Sequence, residues 1–349
     1  SSYRGAMTIP LPTLRIATLN CLNLALPGRP VYPGWPPYGA DEYLAKTQWL
    51  AQLLDRLAAD FVLLQEVFHA QALSDVLRQT VSQGRQWSFA VPHAGQDNRK
   101  PRLGLAWRAP WQPAIDSIVE LPPGAAVPVP ECGEHRSFAR PLLRARVPLV
   151  RPCGATTLTL VNVHLKSRRP EFAPGEDEAD PRRLARAQLR ALLMRAAEAA
   201  ALRQLVLDEL LGATGPLIVA GDFNDEAGAV TTQMVADTSC EADDGVPRAA
   251  VLFNALDVEQ RRAPGRGREV AYTFLNRGEP ERIDHVLVSG QFVPGVHGAI
   301  GRVGAVQVFN DHLSERRRPG ADQDGIDLAR ILSDHAAVCV SIVLDTTPS

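Results

Sequence analysis

Short strand-like runs recur along almost the whole chain, and they constrain its fold more than any other feature. They lie at residues 16–19, 61–64, 103–107, 142–150, 157–163, 217–220, 283–288 and 336–344. Short runs rich in Val, Ile and Leu are typical of buried strands. Helical periodicity is confined to a few segments between them, so the chain lacks the regular alternation of a doubly wound parallel sheet. The pattern predicts β-sheets that pack on each other, with helices outside.

Three segments have helical character. In the first, the apolar residues of 50–57 fall on one face, and Asp41 stands where a helix N-cap is expected. A second helix is predicted near residues 73–77. The third is rich in Ala, Leu and Arg; it begins at Pro181, which suits a first helical turn, and runs to about Leu211.

Composition limits the domain organisation and the class of protein. Neither a Gly/Ser-rich linker nor a fixed repeat divides the chain, so we expect residues 7–349 to form one domain, and we interpret residues 1–6 as an artificial leader. The 37 basic and 39 acidic side chains give a net charge of −2, which excludes a strongly basic protein that wraps nucleic acid. No apolar run approaches the length of about 18 residues that a membrane span needs.

The cysteines are scattered, with neither a CxxC pair nor the spacing of a zinc site. Their odd number, 5, argues against a disulfide framework. We therefore expect reduced thiols and a cytoplasmic location. No feature of the sequence indicates an obligate protein partner.

The residues that could bind a metal or take part in catalysis stand at the ends of the strand-like runs. Four stand at C-terminal ends, namely Asn20, Glu66, His164 and Asp222, and three stand at N-terminal starts, namely Asp284, Asp334 and His335. In an antiparallel or mixed sheet, one strand's C-terminal end lies beside its neighbour's N-terminal end, so all of them can meet at one rim. Singly, each has an ordinary explanation as a turn or rim residue. Together they form an oxygen-rich cluster that suits Mg²⁺ or Mn²⁺ rather than zinc, beside two histidines suited to proton transfer.

Six ordered motifs carry a resemblance to a known family. They are TLN at 18–20, LLQEV at 63–67, VNVHL at 161–165, GDFND at 221–225, RIDHVLVS at 282–289 and SDH at 333–335. In this order they resemble the endonuclease/exonuclease/phosphatase superfamily, whose fold is that of DNase I. The resemblance implies a four-layered α/β sandwich of two mainly antiparallel β-sheets packed face to face with helices outside. It also implies metal-dependent phosphoester hydrolysis.

The resemblance implies a cation site and a nucleophile site. Glu66 corresponds to the principal ligand of Mg²⁺ or Mn²⁺, with Asn20 and Asp334 in support. Asp222 and Asn224 correspond to the residues that hold the attacking water and the scissile phosphate, or a second metal.

Further roles follow from the same resemblance. His335 would act as general base or contact the phosphate, with its ring oriented by Asp284. His164 would protonate the leaving oxygen or stabilise the transition state, and Asn162 would hydrogen-bond the phosphate. Arg140 resembles a phosphate-facing arginine.

Some of these residues have equally ordinary explanations. Lys166 could reach a phosphate or be a solvated loop lysine, and Arg140 could be a surface arginine at a strand edge. In the Pro/Gly-rich loop at 26–40, Trp35 and Tyr38 could stack on a base or pack the loop onto the body.

The predicted function is a metal-dependent phosphodiester hydrolase that uses a metal-activated water and His/Asp acid–base residues. A nuclease acting on DNA or RNA is favoured, because Arg140, Arg168 and Arg169 flank the expected site. The acidic run at 176–180, which would repel a long polyanion, argues the other way. The alternative is a phosphodiesterase for a phospholipid head group or small phosphoester. A degenerate, non-catalytic binding module is ranked last, since such proteins lose metal ligands first.

Overall fold

Two six-stranded β-sheets lie face to face in the computed structural model of the chain. The structure describes residues 13–81, 86–92, 100–151, 154–213, 215–237, 250–262, 270–296, 298–316 and 327–345. The artificial leader predicted at residues 1–6 lies outside this part of the chain.

Sixteen strands are described. In chain order they are β1 (Thr13–Leu24), β2 (Phe61–Val67), β3 (Trp87–Ala90), β4 (Arg102–Arg108), β5 (Ala114–Glu120), β6 (Val127–Val129), β7 (Gly133–His135), β8 (Ser137–Arg151), β9 (Gly154–His164), β10 (Leu217–Asp222), β11 (Leu252–Asn254), β12 (Phe274–Asn276), β13 (Glu279–Glu281), β14 (Asp284–Ser289), β15 (Gly301–Phe309) and β16 (Ala337–Leu344).

The strand order is β15-β16-β1-β2-β4-β3 in the first sheet and β11-β14-β10-β9-β8-β5 in the second. Parallel pairing occurs between β1 and β2 and between β9 and β10, and all other neighbours in the two sheets are antiparallel. Two hairpins, β6–β7 and β12–β13, stand apart from the sheets. The predicted sandwich of two mainly antiparallel sheets is confirmed.

Seven α-helices are described. They are α1 (Ala40–Leu57), α2 (Ala70–Arg78), α3 (Pro181–Asp208), α4 (Val230–Ala236), α5 (Ala255–Arg262), α6 (Asp311–Glu315) and α7 (Leu328–Ile331), with a π-helical turn at Glu209–Ala213 and a 3₁₀ turn at Gly290–Phe292. Among the described helices, none is long and apolar enough to cross a membrane.

The apolar side chains form three main layers of contact. Between the sheets, Leu63 and Val340 of the first sheet belong to one cluster with Leu160 and Val286 of the second. The apolar faces of α1 and α2 pack on the outer face of the first sheet, and those of α3 and α4 on the outer face of the second. Burial of apolar surface on both faces of each sheet explains why the strands are continuously apolar rather than alternating.

The start of α3 agrees with the sequence-based prediction, and the start of α1 differs from it. Asp180 caps α3 by accepting from the Arg182 N–H at 2.9 Å, and Pro181 is the first helical residue, as predicted. The prediction of Asp41 as a cap is wrong, because α1 starts at Ala40 and Asp41 lies inside its first turn. Its cap is Gly39, whose N–H donates to Glu42 at 2.9 Å.

Strand register brings polar strand ends into one row. Asp222, the last residue of β10, pairs with His164 of β9 on one side and with Asp284 of β14 on the other. In the first sheet Asn20 pairs with Gln65, immediately before Glu66. The rim expected from the sequence therefore exists, and it draws on both sheets.

Gly221 lies in this row at a point where the backbones of β9 and β10 approach closely. Its φ is +150°, and a Cβ at this position would lie 1.9 Å from the carbonyl oxygen of Val163. Because that neighbour is backbone rather than a flexible side chain, only glycine fits between β9 and β10 here.

We expect Gly221→Ala to destabilise the protein by about 3 kcal/mol or more, since the clash can be relieved only by separating two paired strands. Urea denaturation in EDTA measures the change in the free energy of unfolding. Gly212→Ala is the matched control, because a Cβ there meets no atom within 4 Å, and it should change stability by no more than about 1 kcal/mol. Equal stability of the two variants would contradict this account.

Candidate active site at the shared rim

An irregularity in the strand pairing aims Glu66 into the rim. Between the pairs Asn20–Gln65 and Leu24–Val67, three residues of β1 lie opposite Glu66 alone. Glu66 has a φ of 59°, in the left-handed region that costs a residue with a side chain about 1–3 kcal/mol. Bulges of this kind redirect a side chain out of the alternating pattern. The Glu66 carboxylate accepts from the Asn23 N–H at 2.9 Å and lies 3.4 Å from the Asn20 Nδ2.

Asp222 stands at the centre of the rim and is almost fully buried. Its Oδ2 accepts from Asn20 Nδ2 at 3.2 Å, and it lies 3.4 Å from His164 Nε2 and 3.8 Å from His335 Nε2. Its Oδ1 accepts from the Asn224 N–H at 2.8 Å. One carboxylate therefore touches groups from four segments of the chain.

His335 is held from three sides. Its Nδ1 lies 2.9 Å from Asp284 Oδ2, and its backbone N–H donates to Ser333 Oγ at 3.0 Å. The Ser333 hydroxyl donates onward to the Asn20 carbonyl at 2.6 Å, and the Phe274 ring packs 5.1 Å from the imidazole. One ligand atom from each of Asp222, Asp284 and His335 lies within 4.8 Å of the others.

The two histidines have opposite electrostatic surroundings. Burial disfavours a charge on His335, but the carboxylates of Asp284 and Asp222 outweigh it and raise the pKa of His335 well above its ordinary value. Burial, together with the nearby positive charges of Arg140 and His335, holds the pKa of His164 well below its ordinary value. These opposite shifts favour the charged form of His335 and the neutral form of His164.

The carboxylates are perturbed as well. Burial raises the pKa of Asp222 to about 7, with His335 opposing the shift and Asp284 adding to it. Burial and repulsion from Asp334 raise the pKa of Glu66, while His335 and Arg140 act in the opposite direction. Like charges gathered away from water favour binding of a cation or a proton.

Arg140 lies against the cluster. Its Nη1 donates to the Leu165 carbonyl at 3.3 Å, and Asn224 Nδ2 donates to the same oxygen at 2.9 Å. One backbone oxygen therefore links the arginine of β8 to the asparagine that follows β10.

Asn162 does not join the cluster. It is fully buried, its Nδ2 donates to the carbonyls of Leu64 and Gly104 at 3.0 and 2.9 Å, and its Oδ1 accepts from Gln65 Nε2 at 2.7 Å. Both amide hydrogens are committed to the opposite sheet, so in this arrangement Asn162 donates neither of them to the cluster. Asn162 and Gln65 instead form a polar bridge between the two sheets.

Two further residues make contacts that bear on their predicted roles. The Lys166 ammonium lies 3.0 Å from Glu171 Oε2 and turns toward the loop that follows β9. The Oδ1 of Asn20 accepts from the Leu22 N–H at 3.0 Å, so in this arrangement Asn20 offers the carboxylates its amide hydrogens rather than offering a cation its oxygen.

The aromatic residues of the 26–40 loop pack onto the body. Tyr38 is buried, and its hydroxyl donates to the Leu22 carbonyl at 3.3 Å. The Arg330 guanidinium lies 5.2 Å from the Tyr38 ring and 5.4 Å from the Trp35 ring, and it is paired with Glu42. Of the two roles considered for these aromatics, the structure therefore favours packing.

Charged residues on the buried face of α3 support the site and were missed by sequence analysis. Glu198 is fully buried and accepts from the N–H groups of Ala139 at 2.8 Å and Lys166 at 2.7 Å. Arg195 donates to Asp225 at 2.7 Å. The only signal in the sequence is that both interrupt an Ala/Leu-rich helix at positions three apart, on one face.

Comparisons with known proteins agree on fold and family. The model of the Endonuclease/Exonuclease/phosphatase family matches residues 17–335. A crystal structure of truncated TDP2 from Caenorhabditis elegans is 14% identical with a TM-score of 0.55, and the alignment covers 95% of this chain and 97% of that one. The human Nocturnin catalytic domain with bound sulfate anion is 17% identical, with a TM-score of 0.54 and 96% of each chain covered.

A bacterial structure extends the comparison. An endonuclease/exonuclease/phosphatase from Bacteroides vulgatus is 15% identical with a TM-score of 0.51, and the alignment covers 96% of this chain and 100% of that one. No curated protein sequence matches the chain significantly.

The support from α3 is testable by a neutral replacement. Glu198→Gln exchanges one acceptor oxygen for an NH₂ group that faces an N–H, which leaves either Ala139 or Lys166 without its partner. We expect a loss of about 1.5–3 kcal/mol in the free energy of unfolding, measured in urea. Glu178→Gln, at an exposed position, should change it by less than about 0.5 kcal/mol. A Glu198→Gln variant as stable as this control would show that the N–H groups of Ala139 and Lys166 do not depend on the Glu198 carboxylate.

Proposed function

The chain belongs to the endonuclease/exonuclease/phosphatase family, and from that membership we propose that it is a divalent-metal-dependent phosphodiesterase whose favoured substrate is nucleic acid. The buried cluster of Asp222, Asp284 and His335 carries the proposal. Removing charged groups from water costs free energy that their mutual attraction rarely returns. Such a cluster is poorly explained by folding, and catalysis of a reaction on a charged group explains it better.

The donor set fits a hard divalent cation. The Oδ1 atoms of Asp284 and Asn23 are buried and have no hydrogen-bond partner among the residues that the structure describes. Oxygen donors are the ligands that Mg²⁺ and Mn²⁺ prefer, and enzymes of this family typically use divalent metals. Glu66 and Asp334 would hold the cation. When bound, it would neutralise phosphate charge and make the attacking water more acidic.

The residues around Asp222 would supply proton transfer and phosphate binding. A carboxylate with a pKa of about 7 is well matched to accept a proton from water near neutral pH. Of the two roles considered for His335, contact with the phosphate is favoured, because a raised pKa keeps its ring cationic. Burial lowers the pKa of His164 and so favours its neutral form, which would stabilise the leaving oxygen by donating a hydrogen bond.

Local charge supports an anionic polymer as substrate despite the net charge of −2. Arg140 and Arg169 both lie near Tyr32, at the edge of the cluster, where each opposes the rise in the Tyr32 pKa that burial and Glu66 produce. Glu176, in the acidic run, is bound by Arg190 and Arg183, so it adds little repulsion. Arg168 is paired with Glu281 and is less available to a phosphate than its neighbour.

The metal requirement is tested with a substrate panel of plasmid DNA, RNA, bis-p-nitrophenyl phosphate, p-nitrophenyl phosphate and sphingomyelin. With Mg²⁺ or Mn²⁺ we expect diester cleavage that EDTA abolishes. Glu66→Gln should lower kcat/KM by at least about a hundredfold, equivalent to roughly 3 kcal/mol. Mg²⁺ should raise the melting temperature of the wild type but not of this variant.

Glu178→Gln serves as the control and should behave like the wild type in both assays. Full activity in EDTA would refute metal dependence. Cleavage of sphingomyelin or small diesters with intact DNA and RNA would favour the phospholipid or small-phosphoester alternative over a nuclease.

Proton transfer and phosphate contact are tested at the two histidines. His335→Asn keeps a hydrogen bond to Asp284 and removes the cation, and His164→Ala removes the donor to the leaving oxygen. Each should lower kcat by about 10²–10⁴ on a diester substrate. Melting temperatures verify that both variants fold. Wild-type kcat in both would overturn the assigned roles.

A further inference from the structure

Tyr32 differs from the other aromatic residues of the 26–40 loop in how its polar atom is used. Tyr38 is buried with its hydroxyl bonded to the body, whereas Tyr32 is only partly buried. None of the described residues hydrogen-bonds to the Tyr32 hydroxyl, and that hydroxyl keeps contact with solvent. The phenol of Tyr32 therefore has a donor that the described part of the fold leaves unused.

The ring of Tyr32 is held near the C-terminal end of β2. It packs against the ring of Phe68 in an edge-to-face arrangement, with 5.5 Å between the centroids and 85° between the planes. Phe68 is fully buried and lies two residues after Glu66. The Phe68 N–H donates to the Leu24 carbonyl at 2.9 Å, which ties this point to the end of β1. The contact places Tyr32 beside the segment that aims Glu66 into the rim.

Hydrogen bonds hold the loop that bears Tyr32 in one arrangement. At its start, the Leu26 N–H donates to His69 Nδ1 at 3.2 Å. The Gly28 N–H donates to the Tyr38 carbonyl at 2.9 Å, which closes the loop on itself. A donor fixed in this way loses little conformational freedom when a ligand binds, so its hydrogen bond contributes more to affinity.

The charges around Tyr32 suit an anion. Glu66, Arg140 and Arg169 all lie close enough to act on its ionisation. Burial and Glu66 raise the pKa of Tyr32, while the two arginines oppose that rise. The phenol therefore keeps its proton near neutral pH and acts as a donor. A neutral donor beside two cationic groups can contact an anionic oxygen without adding repulsion.

We propose that the Tyr32 hydroxyl donates a hydrogen bond to a nonbridging oxygen of the scissile phosphate, which makes Tyr32 a substrate-contacting residue from outside the two sheets. The inference rests on the proposed phosphodiesterase function. Phe68 occupies one side of the ring, whereas the hydroxyl is unoccupied, so the hydroxyl is the group available to a substrate. Because the contact is with the phosphate itself, it serves every diester that the site accepts.

The test is removal of the hydroxyl alone, in Tyr32→Phe, with Mg²⁺ or Mn²⁺ present. Activity is measured on bis-p-nitrophenyl phosphate, which has no base, and on an oligonucleotide. We expect kcat/KM to fall by about tenfold to a hundredfold on both, the usual effect of losing a hydrogen bond to a charged group. The melting temperature should not change, because the ring still packs on Phe68.

Tyr43→Phe is the matched control. Its hydroxyl donates to Asp75 Oδ2 at 2.6 Å, so it is committed to the contact between α1 and α2. Its removal should leave kcat/KM on both substrates unchanged.

Three outcomes would overturn the contact while leaving the phosphodiesterase intact. The first is wild-type kcat/KM for Tyr32→Phe on both substrates. The second is a loss on the oligonucleotide alone, which would indicate that the ring stacks on a base. The third is a loss of activity together with a lowered melting temperature, which would make the hydroxyl a structural group.

Anion binding separates the two proposals if the wild type cleaves neither substrate. Absence of cleavage refutes the phosphodiesterase. Calorimetric titration with inorganic phosphate in the presence of Mg²⁺ then tests the hydroxyl by itself. A Kd raised by about tenfold in Tyr32→Phe supports the contact. Equal Kd values for the two proteins, or no binding to the wild type, refute it.

Discussion

The row formed by His164, Asp222 and Asp284 is the constraint on which the rest of the site depends. These residues are neighbours because β9, β10 and β14 pair in a register that sets them side by side. Two buried carboxylates at adjacent positions repel each other unless a positive charge lies between or beside them. His335, brought from the first sheet, supplies that charge. Ser333, which accepts the His335 backbone N–H, also donates to the Asn20 carbonyl. The charge repulsion between carboxylates of the second sheet is therefore offset by residues that belong with the first.

Much of this arrangement could be predicted from the sequence, because strand ends are visible as the points where apolar runs stop. That logic found Asp222, Asp284 and His335. It could not foresee the bulge at Glu66, since an irregular register leaves no mark in the hydrophobic pattern. The role of Asn162 was implied by the family resemblance and not by the strand-end pattern. Asn162 and His164 share one face of β9, but two residues farther from the rim that face meets the opposite sheet instead of the site.

Helix α3 shows a second limit of pattern-based prediction. Its buried face contains Arg190, Arg195 and Glu198 among alanines, where periodicity alone favours apolar side chains. Each of these charges meets its partner outside the helix: Arg190 binds Glu176, Arg195 binds Asp225, and Glu198 binds two backbone amides. Because these partners are brought close only by the tertiary fold, no local rule identifies them. The helix acts as a polar anchor for the segments that bear Arg140 and Asn224.

The carbonyl oxygen of Leu165 links two side chains of the site, and this link couples their movements. It accepts from both Arg140 and Asn224, and a carbonyl has two lone pairs, so its capacity is filled. A phosphate that draws one of these donors away leaves a lone pair open and the other donor free to shift toward it. A side chain of β8 and one from the loop after β10 are thus coupled through a single atom, and we expect an anion that engages one of them to change the resting position of the other.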